Sequence, residues 1–276
     1  MAVITESAHG ATSLRVALVP VAVAGVAFAA LTAWGLSPSA HLMMLFPDPS
    51  DARSMPGMTM PGAVAGTSAL VLAAAFLGAW MLMTLATMMP TALPLLGAFE
   101  QVAATRPRPG RLGLVLSSGF LTVWLAAGTV VAGADVAVHR FVPAAGPFRE
   151  RWPVAALVLA VAGAYQLSPL ARRCLTACRS PFSFIARHWS GGPGAGRQSW
   201  AIGVAYGRSC LGCCAPLMAV MVVVGMANPL WMIGLGALGG LQKHARGGQR
   251  LAVVTGVVLL AAAAAVALLR LPMGAA

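Results

Sequence analysis

The chain has 276 residues, of which 59% are hydrophobic and 9% charged, with a formal net charge of +12. Soluble chains carry about 25% charged residues, so a water-soluble globule and an intrinsically disordered chain are both excluded. The apolar stretches are about twenty residues long, which predicts an all-α polytopic membrane protein rather than a barrel of roughly ten-residue strands. Basic residues lie in short loops between these stretches, where they orient a membrane protein, and this argues against nucleic-acid binding.

Seven transmembrane helices are predicted, with six as the alternative. In chain order the spans are Val16–Leu36, Val64–Met89, Leu112–Ala134, Val154–Leu170, Ala201–Met226, Pro229–Leu241 and Leu251–Leu269. The sixth is short, so it either recruits flanking residues or turns back as a half-helix. The first is too long for a signal peptide and no small-residue cleavage site follows it, so we expect it to remain a helix. Residues 1–276 are thus predicted to form a single integral membrane domain.

The arginine and lysine distribution predicts the orientation. Three alternate loops share most of the basic residues: Arg106, Arg108 and Arg111 after the second span, Arg172, Arg173, Arg179, Arg187 and Arg197 after the fourth, and Lys243, Arg246 and Arg250 after the sixth. The positive-inside rule assigns these loops to the cytoplasm. We therefore expect a cytoplasmic amino terminus, an external loop over 37–62, a basic cytoplasmic loop over 171–199 and a location in the plasma membrane.

The predicted external loop is rich in methionine, with Met55, Met58 and Met60 set among proline and glycine residues. Thioether sulfur is a soft, uncharged ligand that suits Cu(I), and it persists in oxidising compartments where thiols do not. The loop is therefore a candidate site of copper capture. The alternative is an adaptable interfacial loop in which methionine fills gaps.

The fifth predicted span carries sulfur at helical spacing. Cys210, Cys214, Met218 and Met221 fall on one face of a helix, and Cys213 is adjacent to them. This arrangement predicts a soft-metal site within the bundle. Free cysteine also behaves as a small hydrophobe in protein cores, so inert packing is the alternative interpretation.

Two further pairs of sulfur residues are candidate metal ligands. Met83 and Met88 lie near the cytoplasmic end of the second span, where Met-rich packing is an equally good explanation. Cys174 and Cys178 lie in the basic loop at a spacing that brings two thiols to one helical face, and the flanking arginines favour thiolates. No zinc-protease motif, P-loop or Rossmann glycine pattern is present in the sequence.

Two Gly-x-x-x-Gly pairs occur, Gly203 with Gly207 and Gly236 with Gly240. Such pairs permit close approach of two helices. They serve equally within one bundle or between chains, so the sequence leaves the oligomeric state open.

Three motifs occur in a fixed order along the chain. They are Trp80…Met83…Met88…Pro90, then Tyr165-Gln166-Leu167-Ser168-Pro169-Leu170 with Cys174-Leu175 and Cys178-Arg179-Ser180-Pro181, then Gly207-Arg208-Ser209-Cys210-Leu211-Gly212-Cys213-Cys214 with Leu217-Met218 and 225–232. Together they resemble the family of predicted metal-binding integral membrane proteins, some of which are called membrane copper chaperones because they serve secreted copper enzymes such as tyrosinase-type oxidases. The resemblance covers most of Trp80–Lys243 and implies copper handling. The family often has a methionine where Thr87 stands, an aromatic residue at Ala215 and an acidic residue at Gln242.

The leading hypothesis is a non-enzymatic Cu(I) chaperone that lies in the lipid bilayer and holds copper among soft sulfur ligands for a copper-enzyme client. One alternative is a transporter that moves copper from the external methionines to Cys174 and Cys178. Another is a thiol-redox membrane enzyme that uses Cys210, Cys213 and Cys214. The last is an assembly subunit whose cysteines affect only stability.

Overall fold

A computed structural model describes residues 2–37, 69–141, 151–224 and 229–270. Within these ranges the chain forms ten α-helices and no strand, so the predicted all-α class is confirmed for this part of the protein. The helices are α1 (Ala2–Gly35), α2 (Ala69–Thr87), α3 (Leu93–Ala103), α4 (Pro109–Phe141), α5 (Arg151–Gln166), α6 (Pro169–Cys178), α7 (Pro181–His188), α8 (Ala195–Val224), α9 (Pro229–His244) and α10 (Gly248–Arg270), with a 3-10 turn, Pro90–Ala92, between α2 and α3.

Among the residues that the structure describes, four helices are long and apolar enough to cross a membrane. They contain the segments Leu18–Gly35 in α1, Pro109–Ala134 in α4, Ala195–Met221 in α8 and Gly248–Leu269 in α10. These segments overlap the first, third, fifth and seventh predicted spans. Their presence is compatible with a membrane protein.

The second and fourth predicted spans are broken rather than straight. Ala73–Thr87 and Pro90–Ala103 meet at an angle of 46°, and Trp152–Gln166 and Pro169–Cys178 meet at 67°. If each bent pair counts as one span, the described residues supply up to six. The predicted total of seven is not confirmed, because α9, the sixth segment, has only 16 residues and is not among the candidate spans.

Proline explains where the two bent segments break. Pro90 begins the 3-10 turn and Pro169 begins α6, and each lacks the amide hydrogen that would continue the preceding helix. Ser168 caps α6 by accepting a hydrogen bond from the amide of Ala171 at 3.2 Å. As a result α6 leaves the line of α5 and packs against α8.

Helix α8 is the centre of the bundle. Of its candidate span 56% is buried, compared with 22–28% for the other three. It packs against α4, α5, α6, α7 and α9, so its side chains meet those of most other elements. A functional site formed by α8 is therefore enclosed on most sides.

The glycine pairs serve contacts inside this bundle. A Cβ atom at Gly203 would meet the backbone of Leu116 in α4, and one at Gly207 would meet Val123 in the same helix. The α4–α8 crossing is close because the Gly203 position has no side chain. The second pair, in α9, lies against α2 and the 3-10 turn, because a Cβ atom at Gly236 would meet Thr87.

The two predicted loops have different outcomes. The segment 171–199 contains most of α6 and all of α7, so helices occupy much of what was predicted as a loop. Its predicted cytoplasmic side stays a prediction. The predicted external loop over 37–62, with Met55, Met58 and Met60, lies outside the described residues apart from Ser37.

Candidate metal centre

The predicted sulfur face of α8 points into the bundle. Cys210, Cys214, Met218 and Met221 are buried at 0, 2, 1 and 1% exposure, and the neighbouring Cys213 is buried as well. The helix continues through Pro216 to Val224, so the regular spacing of these residues is maintained. Helical periodicity therefore predicted the inward face correctly.

A cysteine from α6 joins this face. The Sγ atom of Cys213 lies 3.8 Å from the Sγ of Cys178 and 3.5 Å from the Sγ of Cys214. Cys213 also donates to the backbone carbonyl of Cys210 at 3.2 Å. All of these cysteines are free thiols. We call Cys178, Cys210, Cys213 and Cys214 the sulfur cluster. The sequence indicated two separate cysteine sites, and the structure brings them together because α6 folds back onto α8.

Cys174 lies at the edge of the sulfur cluster. It is half-buried, one turn before Cys178 on α6. Its sulfur occupies the space beside Gly212, where an added Cβ atom would lie 2.5 Å from the Sγ of Cys174. A small cavity of about 10 Å³ nearby is lined by Cys213 of the cluster and by Arg172, which is exposed. Cys174 is thus the cysteine nearest to the outside of the bundle.

The methionines of the second predicted span are also buried. Met83 and Met88 have no exposed surface, and both belong to the hydrophobic core that contains the sulfur cluster. Thr87 stands where the family that the sequence resembles often has methionine. Its hydroxyl donates to the carbonyl of Met83 at 2.7 Å. Burial agrees with a ligand role and equally with packing, so the assignment of these two residues stays a prediction.

Lys243 is a functional candidate that the sequence analysis missed. Its Nζ atom donates to the Sγ of Cys210 at 3.1 Å and to the Oγ1 of Thr91 at 2.8 Å, and its side chain is only 2% exposed. The expectation that Lys243 belongs to a basic loop is therefore wrong, because it lies in the last turn of α9 and faces α8. It is the only lysine among the 18 lysine and arginine residues, a signal that could have separated it from the loop residues.

Two buried side-chain amides and an arginine lie near the backbone of Lys243, at the end of α9. Gln242 accepts from the Nε2 of Gln166 at 2.9 Å and donates to the Oγ1 of Thr255 at 3.1 Å. Arg179, next to Cys178 in the chain, donates to the carbonyls of Gln242 and Lys243 at 2.8 and 3.2 Å. Such bonds satisfy the free carbonyls at a helix carboxyl end. These contacts fix the end of α9 against α5, α6 and α10.

A groove leads toward Lys243 from the other side. Its cavity of about 360 Å³ is lined by Phe28 of α1, Thr87, Thr91, Gly236 and His244, among others. Partial burial, and next the neighbouring lysine ammonium, lower the pKa of His244 below its usual value. Since the hydroxyl of Thr91 lines the groove and accepts from the lysine, the groove extends to the edge of the site.

The sulfur–sulfur distances in the sulfur cluster are close to those of two thiolates bound to one metal ion, but the cluster is not a preformed metal site. Within the described ranges, no three His, Cys, Asp or Glu side chains have the arrangement that holds a metal ion. Two thiolates on one ion, with metal–sulfur bonds of about 2.3 Å, lie roughly 3.8–4.6 Å apart between tetrahedral and linear angles. The Sγ atoms of Cys213 and Cys214 are 3.5 Å apart, just below that range. The Sγ atoms of Cys213 and Cys178 are 3.8 Å apart, at its lower end.

Fold and site together define a helical protein with a buried group of free thiols at its centre. Comparison with known families agrees with this class. The chain belongs to the Copper chaperone family PpoB2, which matches residues 77–266. That range contains all five cysteines and Lys243, and copper handling follows from membership. No curated protein and no solved structure matches the chain.

Proposed function

We propose that this protein is a membrane-embedded chaperone that binds Cu(I) in the sulfur cluster and supplies it to a copper enzyme. One observation carries the proposal. Free thiols from α6 and α8 meet at 3.5–3.8 Å in the buried centre of the bundle, beside a buried lysine. A purely structural core has no need of several thiols and an ammonium group at one point, since a buried charge is costly. Membership of the Copper chaperone family supports copper as the cargo.

The choice of Cu(I) follows from ligand softness. Thiolate and thioether sulfur favour Cu(I) over harder ions. Each thiol that becomes a ligand loses its proton, and the bound cation neutralises thiolate charge that is otherwise costly in an apolar interior. We assign the sulfur cluster (Cys210, Cys213, Cys214 and Cys178) as the source of the holding ligands, with two of its thiolates bound to the ion at one time. Met218, Met221, Met83 and Met88, all buried in the same core, are supplementary thioether ligands in this proposal.

Cys174 has a different role in this proposal. It is half-buried while the four cluster thiols are buried, and its neighbour on α6, Arg172, is exposed. We assign it as the transfer thiol that takes the ion from the cluster toward the client. A thiol at the edge of the site can be reached by another protein, whereas a fully enclosed one cannot.

Membrane insertion is the setting in which this arrangement makes sense. The four candidate spans include α8 itself and α4, which packs against it, and large apolar side chains are exposed on all four. The arginine distribution supports a cytoplasmic amino terminus in the plasma membrane. Met55, Met58 and Met60 would then collect copper on the external side.

A transporter is less well supported than a chaperone. That alternative requires a cytoplasmic Cys174–Cys178 pair as a separate end point. Cys178 instead lies 3.8 Å from Cys213 of α8, so the two groups are parts of one site. Copper uptake into sealed vesicles that contain only the purified protein would support transport, and no uptake would support delivery to a client.

A thiol-redox function is the second candidate, because Cys178 and Cys213 are close enough to approach disulfide distance after rotation. It predicts that the metal-free protein forms a Cys178–Cys213 disulfide that is reversed by reductant. Mass spectrometry of the protein purified without reductant tests this prediction. A disulfide that forms and cycles in the absence of metal would favour the redox function over the chaperone.

The chaperone proposal is tested by Cu(I) titration of the full-length protein in detergent under reducing conditions, against a chromogenic Cu(I) chelator. The double variant Cys210→Ser with Cys214→Ser should lose tight Cu(I) binding while still inserting into membranes. Met89→Leu, which changes a buried sulfur outside the assigned ligands, is the matched control and should bind normally. Unchanged Cu(I) affinity in the double variant would make these cysteines core residues and refute the proposal.

A further inference from the structure

Lys243 is a buried positive charge whose neighbours are thiols. Its two hydrogen-bond acceptors are the Sγ of Cys210 and the Oγ1 of Thr91. The titratable groups nearest to it are the thiols of Cys210, Cys214, Cys213 and Cys178, and no carboxylate pairs with it among the described residues. Buried ammonium groups are normally paired with an opposite charge. Here the thiols of the sulfur cluster are the groups beside it that can carry a negative charge.

Thr91 holds the ammonium group through a contact that does not involve sulfur. The Thr91 hydroxyl donates its own proton to the carbonyl of Met88 at 2.8 Å, so its oxygen lone pairs face the lysine as acceptors. Arg179 donates a hydrogen bond to the backbone carbonyl of Lys243. The position of the charge is therefore set in part by Thr91 and Arg179, which are not assigned as ligands.

We propose that Lys243 makes the site selective for a monovalent ion. When two thiolates of the sulfur cluster hold an ion, the ion and the two thiolates together carry a net charge of −1 for Cu(I) and of 0 for Zn(II). With the lysine ammonium included, the Cu(I) site is neutral and the Zn(II) site carries +1. An uncompensated charge is unfavourable in a buried, apolar environment, so the lysine favours Cu(I) and disfavours Zn(II).

The inference rests on the proposed function, since it takes the sulfur cluster as the copper site. It goes beyond ligand softness, because softness resides in the sulfur atoms and is unaffected by a change at position 243. A lysine that sets ion charge is a specificity-determining residue with no metal bond of its own. Its removal should therefore change the order of metal affinities.

The test compares Cu(I), Ag(I) and Zn(II) affinities of the full-length protein with those of three variants, by competition with chelators under reducing conditions. Lys243→Met keeps much of the side-chain length and removes the charge. Lys243→Arg keeps the charge. Arg246→Met removes a charge from an exposed position three residues further along the chain and is the matched control. Ag(I) serves as a monovalent ion that is not oxidised to a divalent state.

In Lys243→Met we expect Cu(I) and Ag(I) affinity to fall by about tenfold or more, and Zn(II) affinity to rise. Lys243→Arg should retain the wild-type preference, and Arg246→Met should match the wild type for all three ions. Equal losses for all three ions in Lys243→Met would show a structural role and overturn the inference, as would unchanged affinities. If the wild-type protein itself fails to bind Cu(I), the proposed function fails, which is a distinguishable result.

Discussion

Replacing Gly212 by alanine should slow the release of copper without weakening its binding. Gly212 lies on α8 between the cluster cysteines, and the sulfur of Cys174 occupies the space beside it. The new Cβ atom would lie 2.5 Å from the Sγ and 3.1 Å from the Cβ of Cys174, where ordinary contacts are 3.4–4 Å. The sulfur must therefore move by about 1 Å, which removes attractive contacts or rotates the side chain. None of the four cluster thiols is altered.

The stability change is expected to be small. Moving Cys174 off its preferred rotamer costs about 0.5–1.5 kcal/mol. Alanine in place of glycine in a helix interior stabilises by about 1 kcal/mol. The two contributions nearly cancel, so the free energy of unfolding should change by less than about 1 kcal/mol. A misplacement of about 1 Å in a group that must meet a partner can reduce a rate by up to roughly 100-fold.

The assay measures the rate at which Cu(I)-loaded protein transfers its ion to a chelator, together with the equilibrium affinity. Gly234→Ala is the control, because a Cβ atom at this glycine of α9 meets nothing within 4 Å. We expect Gly212→Ala to transfer roughly 10- to 100-fold more slowly at unchanged affinity. Transfer at the wild-type rate would remove Cys174 from the route. A loss of affinity as large as that in Cys213→Ser would make Cys174 a holding ligand.

Three other predictions concern topology, capture and packing. A reporter fused after Arg179 should be cytoplasmic and one at Met58 external; reversed labelling at both sites would contradict the orientation. Changing Met55, Met58 and Met60 together to leucine should reduce copper delivery to a client enzyme when external copper is limiting, and should have little effect when copper is abundant. Equal delivery by the variant and the wild type at every copper concentration would favour a packing role for this loop. Gly203→Ala should lower the thermal unfolding midpoint and cost about 1–3 kcal/mol of stability, because the Cβ atom meets the Leu116 backbone, and an unchanged midpoint would contradict the close α4–α8 crossing.

The inward sulfur face of α8 could be predicted because helical periodicity is a local property. Cys210, Cys214, Met218 and Met221 recur at the spacing that places them on one side, and burial follows once a helix forms. Four of the predicted spans were found for the same reason, since length and hydropathy suffice. Copper handling was implied by the resemblance to a known family that the three motifs carry, and the family assignment agrees with it.

The composition of the complete site could not be predicted, because it depends on contacts between distant residues. Cys178 and Cys213 are separated by 35 positions and meet only because Pro169 starts a new helix at a sharp angle. Lys243 was counted as a loop residue, since a basic side chain near the end of an apolar stretch is usually solvated or interfacial. Its burial depends on acceptors supplied by α8 and the 3-10 turn, which no local pattern reveals.

The hydrogen bonds from Arg179 have a mechanical consequence. Arg179 follows Cys178 directly and binds the carbonyls of Gln242 and Lys243, so the end of α6 and the end of α9 are joined by one side chain. A tilt of α6 away from α8 would therefore carry a thiol and the lysine ammonium away from the remaining cysteines in the same movement. Cys178 and Lys243 are therefore mechanically coupled through the side chain of Arg179.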